Sequence, residues 1–86
     1  MKSSDPTQLK VEALRNAARL KQKQLSGLLG IDQTYLSKIE RGHIQMQEYH
    51  IQKLCKLYGF DAWDFEELEA NDLVAAFIKN KQGKIG

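Results

Sequence analysis

The sequence predicts an all-α fold, and three observations carry that expectation. Apolar residues recur at helical spacing along most of the chain, and no stretch alternates with period two for long enough to suggest a sheet. Glycines at 30, 42 and 59 punctuate the periodic segments where helix stops belong. The single proline, Pro6, stands at the start of the first periodic segment, where a helix tolerates it.

Taken in order, the first helix opens at "DPTQ", with Asp5 as N-cap, Pro6 at the first helical position and Gln8 closing a capping box. Leu9, Leu14, Ala17 and Leu20, with Ala13 and Ala18, give it an inward stripe through about Lys21. A second helix over 22–29 buries Leu25, Leu28 and Leu29 and ends at Gly30. Asp32 caps a third over 33–41, held inward by Leu36 and Ile39 and stopped by Gly42. A fourth, over about 47–58, buries Ile51, Leu54, Cys55 and Tyr58 and ends at Gly59. Asp61 caps a fifth with Trp63, Phe65 and Leu68 inward, and Asp64 suits its N-terminal end. After "EAND" the apolar phase changes, so Leu73, Val74, Phe77 and Ile78 begin a bend or a new helix near Asn71. "NKQGKIG" reads as a mobile basic tail.

Eighty-six residues make one domain. A chain this short buries about 60–65% of its unfolded surface, so a single core or an oligomer is expected. One cysteine, Cys55, excludes an internal disulfide framework and a multi-cysteine zinc site, and fits a reducing compartment. The start "MKSSDPTQ" has no signal-peptide run, and no segment approaches the roughly 18 apolar residues of a membrane span. The expectation is therefore a soluble, cytoplasmic protein.

The net charge of +2 conceals an uneven distribution. Residues 1–45 carry eight Lys/Arg against four Asp/Glu, residues 46–78 carry two against seven, and three lysines follow. A basic N-terminal half suits a polyanion, while the acidic segment must face elsewhere.

The stretch "GLLGIDQTYLSKIERG" joins two helices too short to be stable alone. With Leu36 and Ile39 inward, the second leaves Gln33, Thr34, Tyr35, Ser37 and Lys38 along its outer side. A DNA major groove is about 12 Å wide and admits one helix, whose first residues can reach base edges. Gln suits adenine, Thr can meet the thymine methyl, and Lys can donate to guanine or phosphate. The preceding helix would cross the backbone, its N-terminus at Gln22 aiming amides at a phosphate.

Within "QKQLSGLLGIDQTYLSKIERG" the chain resembles the Cro/lambda-repressor-like, or xenobiotic-response-element, family of helix-turn-helix regulators. That family's pattern is Q-x-x-L-A-x-x-x-G-[VI]-[ST]-x-x-x-[IL]-S-x-[IW]-E-x-G. Gln22, Leu25, Gly30, Ile31, Leu36, Ser37, Ile39, Glu40 and Gly42 match it. "IQKLCKLYGFDAWDF" extends the likeness, which covers roughly 9–68. Ser26 replaces the usual Ala and must find a backbone acceptor. Lys21 stands where Ser or Thr usually caps, Met46 where Pro is common, and Cys55 where Ala is usual.

The resemblance implies a five-helix lambda-repressor-like DNA-binding domain over 9–68. Residues 1–8 are then an N-terminal arm and cap, and 69–86 a C-terminal helical extension with a basic tail. It implies Gln33, Thr34 and Lys38 as base readers, with Tyr35 and Ser37 as candidates. Gln22, Arg41, His43 and Gln45 match phosphate-contacting positions, and Arg15 pairs with Glu40 behind the recognition helix. It further implies a transcriptional repressor in the cytoplasm of a prokaryotic cell, or borne by a phage or mobile element. Such a protein would bind double-stranded DNA as a homodimer, or serve as an antitoxin that also holds a toxin. A protein-interaction module that has lost DNA binding is the reading from another class.

Other readings of the same residues stay open here. The outer residues also fit an ordinary solvated face, and Tyr35 fits packing against the turn. Leu73, Val74, Phe77 and Ile78 fit either a dimerisation surface or a cap on the monomer's own core, and the dimer is the favoured expectation. His43 and His50 lack a ligand partner at useful spacing, and no nucleophile has an orienting base. No metal, cofactor, small-molecule substrate, membrane contact or enzymatic activity is expected.

Overall fold

A computed structural model of the chain describes residues 5–83, with side chains through Asn80. Among these residues six helices follow one another: α1 (Thr7–Ala17), α2 (Gln22–Leu29), α3 (Gln33–Glu40), α4 (Glu48–Tyr58), α5 (Ala62–Glu67) and α6 (Ala70–Gly83). There is no strand among the described residues. The architecture is the expected all-α one, five helices plus a C-terminal sixth. The tail read from Asn80 onward is helical as far as Gly83; residues 84–86, and residues 1–4 of the arm, lie outside the described residues.

The core is one cluster centred on Val11, Leu14, Leu25, Leu36, Leu54 and Leu73, each fully buried. Full burial of a side chain of this size is worth about 1.5–3 kcal/mol, so these residues bind five helices into one core. α1 packs against both α3 and α6, α2 against α3 and α4, and α5 against α4.

Having two partners turns α1 away from the expected stripe. Val11, Leu14 and Lys10 face inward while Leu9 is 43% exposed. The Lys10 ammonium is still satisfied, donating to Phe65 O at 2.7 Å and Glu66 O at 3.0 Å near the end of α5. Burial lowers its pKa, against the opposing pull of Asp5, Glu69, Glu66 and Glu67.

Pro6, not Asp5, occupies the N-cap position of α1, and no side chain caps that end. Asp5 instead turns its Oδ2 to the Ala70 amide, 2.8 Å away, and so caps the start of α6. α1 also stops four residues earlier than expected. Arg19 adopts φ 59°, and the Leu20 amide turns back to Arg15 O at 3.0 Å.

Two further residues read as inward lie outside. Leu28 is 51% exposed on α2 and Trp63 is 66% exposed on α5. In each case the neighbouring positions, Leu25 with Leu29 and Phe65, already fill the space against α4. Ser26 is buried and donates to Lys23 O at 3.0 Å, the backbone acceptor its position requires.

Leu73, expected at a dimer surface, belongs to the core of the single chain, at 0% exposure. Val74 and Phe77 are half-buried against that core, with the Phe77 ring edge-on to Tyr58 at 5.3 Å between centroids. Ile78 alone of the four stands mainly exposed. The phase change near Asn71 is the start of α6, which swings back along α1.

Candidate nucleic-acid interface

The turn between α2 and α3 is short because Gly30 ends the first helix cleanly. With φ 74° it takes the left-handed conformation that a Cβ disfavours, and its amide bonds back to Gly27 O. Ile31 N then reaches Ser26 O at 3.0 Å, and Asp32 leads into α3. Asp32 holds the N-cap position, but its carboxylate makes no cap bond, contrary to expectation. Its oxygens therefore do not satisfy the first amides of α3.

Along α3, Leu36 and Ile39 point into the core. Gln33, Thr34 and Lys38 are exposed on the other side, and Ser37 is half-exposed. Gln33 and Ser37, and Thr34 and Lys38, are four apart, so they make two adjacent rows on one face. Together with Gln22 and Arg41 they line one open concavity. Six of the nine residues expected to meet DNA thus share a surface.

The other three are placed differently. Tyr35 is half-buried, its ring edge-on to His50 at 6.0 Å between centroids, so it packs towards α4. His43 and Gln45 are exposed in the loop after α3, outside the concavity. That loop is tied to the helix it follows: His43 N donates to Lys38 O at 2.9 Å. Gly42 makes the reversal with φ 80°, and a Cβ there would also meet the Gln8 amide at 2.6 Å.

Behind the face stands a charged network. Arg15 donates from Nε to Glu40 Oε2 at 2.8 Å and from Nη2 to Glu40 Oε1 at 3.1 Å. Its Nη1 donates to Leu20 O at 2.9 Å, and Gln22 Nε2 donates to Glu40 Oε1 at 3.0 Å. The Glu40 side chain is only 2% exposed, and three hydrogen bonds from α1 and α2 fix it at the end of α3, while the fourth ties Arg15 to the loop. Hydrogen bonding to Glu40 raises the Arg15 pKa further above its already high value. Gln22 is thereby both a wall of the concavity and a partner of the buried carboxylate, a second duty that its spacing in the sequence does not reveal.

At the start of α2 the side chain of Lys21 has no acceptor to offer. Gln24 Oε1 accepts the Lys21 amide at 2.8 Å, which is half of a capping box. No side chain caps the first amides of α2.

Two helices joined at a left-handed glycine, the second with its polar face open, form the arrangement a groove-reading unit needs. A family model described as a helix-turn-helix domain matches residues 10–68. The chain belongs to the helix-turn-helix family, in its Cro/lambda-repressor-like type. No curated protein and no solved structure matches it. The helix-turn-helix match spans α1 to α5 and stops short of α6. DNA binding is the activity this assignment supports. No helix among the described residues is long and apolar enough to cross a membrane. No three His, Cys, Asp or Glu among them gather as a metal site.

Proposed function

We propose that this chain is a sequence-specific regulator of transcription that represses by occupying duplex DNA as a homodimer. One observation carries the reading: Gln33, Thr34, Ser37 and Lys38 share an open face with Gln22 and Arg41. Gln33, Thr34 and Lys38 are the base readers, with Ser37 beside them; Tyr35, packed on His50, reads bases only if it swings outward. Gln22, Arg41, His43 and Gln45 contact the backbone.

The dimer reading rests on size. A single module buries only about 600–1,000 Å² on DNA, and two copies on one two-fold body make the second half-site contact intramolecular. With Leu73 committed to the core, Ile78 and the uncovered parts of Val74 and Phe77 are what α6 offers a second copy.

Selection of binding sites from random duplexes with the purified protein tests the reading. A preferred site of two related halves about one helical turn apart is expected. Failure to retain any duplex at low salt would overturn it and favour a protein-interaction module. An antitoxin-type role has its own observation in Trp63 and Tyr49, both 66% exposed on the acidic half and available to a protein partner. Co-purification of a toxin with the chain would select that reading.

A further inference from the structure

Trp63 stands 66% exposed on α5, and it is the single tryptophan of the chain. Two other rings already carry a lysine ammonium, Lys10 over Phe65 at 5.5 Å and Lys53 over Tyr49 at 6.0 Å from the centroid. Tryptophan is the ring that best attracts a cation, yet Trp63 has no such contact among the described residues. Its surroundings would hold one. Asp61, Asp64, Glu66, Glu67, Glu69 and Asp72 fall between Leu57 and Ile78, a stretch without lysine or arginine.

Beside this face is a cleft of about 300 Å³ where α1, α4 and α5 meet. Ile51, Ala62 and Phe65 give it an apolar lining, and Asp5, Glu48 and Glu66 bring carboxylates. Lys10 is the one cation lining it among the described residues. That lysine is 3% exposed, and its ammonium is held by Phe65 O and Glu66 O. Three carboxylates to one bound ammonium leave the cleft net negative.

Glu66 joins the two features. It lines the cleft and, three positions after Trp63, is its neighbour on the surface of α5. Volume and charge together select the occupant. A small-molecule site starts at about 300 Å³, so the cleft has the size of a side-chain socket rather than of a cofactor site. The negative field repels DNA, RNA and anionic lipid, and attracts a cation on an apolar stem. Arginine answers both demands: its stem suits Ile51 and Phe65, and its planar guanidinium pairs with carboxylates and stacks on aromatic faces.

We infer that α5 and the adjoining cleft form a docking surface for a basic segment of a partner protein, one arginine entering the cleft and a second cation covering Trp63. The inference rests on the reading of Trp63 as a partner-facing residue and is independent of DNA binding. The cleft shares no residue with the concavity that Gln33 and Lys38 line, so the two surfaces do not compete for side chains.

Trp63 fluorescence reads this surface directly, because no other tryptophan contributes. The probe is an acetylated, amidated tetra-arginine peptide, titrated into the full chain beside tetra-lysine, tetra-glutamate and free argininamide. Tetra-arginine should give a saturable change that weakens with salt, tetra-lysine a weaker one and tetra-glutamate none. Calorimetric titration then follows the variants, with circular dichroism to confirm that these surface changes leave the chain folded. Glu48→Gln combined with Glu66→Gln should weaken the peptide roughly five- to tenfold, and Trp63→Leu roughly two- to fivefold. Glu12→Gln removes an exposed carboxylate outside the cleft and should bind as the wild type does. No saturable response to tetra-arginine, or one that every variant shares, overturns the inference. Argininamide binding as tightly as the peptide overturns it in favour of a small cationic ligand. A Trp63→Leu chain that turns from dimer to monomer in sedimentation overturns it in favour of a second copy. A chain that binds the peptide but no duplex leaves this inference standing and removes the DNA-binding reading alone.

Discussion

Arg15 grips Glu40 with two N–H···O bonds, at 2.8 and 3.1 Å, joining the first helix to the last residue of the recognition helix. Removing the carboxylate strands a guanidinium that is only 13% exposed and also releases the Gln22 amide. Glu40→Ala should cost about 3–5 kcal/mol in urea denaturation. A loss below roughly half a kcal/mol would mean that water replaces the carboxylate at little cost.

Gln33→Ala and Lys38→Ala should each cost about 1–3 kcal/mol against the preferred site and relax preference at one or two base pairs. Arg41→Ala, at the rim of the same concavity, should weaken all sequences alike and lower the salt slope by about one. Binding titrations on a panel of single-base variants separate the two behaviours. An unchanged ranking of sites for Gln33→Ala would remove that residue from the base readers.

Leu73→Ala should destabilise the chain by about 2–5 kcal/mol, since Leu73 is fully buried among residues of the single chain. Phe77→Ala should follow with a smaller loss, from the edge-on contact with Tyr58. Thermal unfolding at several concentrations checks both. A Leu73→Ala protein as stable as the wild type would show that α6 is not part of this core.

Alkaline pH should unfold the protein ahead of simple charge repulsion. Burial pushes the Cys55 thiol up to about 11 and the Tyr58 phenol up to about 12. Both protons are held more tightly in the folded chain, so their contribution is complete below about pH 9 and is lost as pH rises beyond it. For each group the slope approaches about 1.4 kcal/mol per pH unit between its unfolded and folded values. Lys10, with its pKa lowered, works in the opposite sense and regains stability as pH rises towards its unfolded value. Cys55→Ala should flatten the decline of stability between about pH 9 and 11; an unaltered profile would assign it elsewhere.

The centre of the fold was legible because its signals are local. Gly30, Gly42 and Gly59 all take positive φ, and in the segments they end Leu25, Leu36, Ile39 and Leu54 hold the core at helical spacing. Short range is also where the signals stopped. The periodicity of α1 nominated Leu9 over Lys10, since nothing in a window of one helix shows that two carbonyls of α5 lie waiting for an ammonium. Asp5 reads as a cap for the helix beside it, and its real partner is 65 positions away. Trp63 looked inward because tryptophan is usually covered, yet Phe65 had already taken the place. At the interface the polar face of α3 could be read from its spacing alone. The bond from Gln22 to Glu40 could not, because it depends on how α2 and α3 cross.

The clasp between the two ends of the chain, Asp5 on Ala70 and Lys10 on Phe65 and Glu66, has a consequence for synthesis. A ribosome adds about 5–20 residues per second, so some 3–12 s separate the emergence of α1 from that of the segment that covers it. During that interval Val11 and Leu14 have no α6 to lie against, and the Lys10 ammonium stays in water. The nascent chain can form the turn at Gly30 early, from neighbours alone. Its rigid frame for α3 closes late, when the sixth helix has left the exit tunnel and reached back to the first.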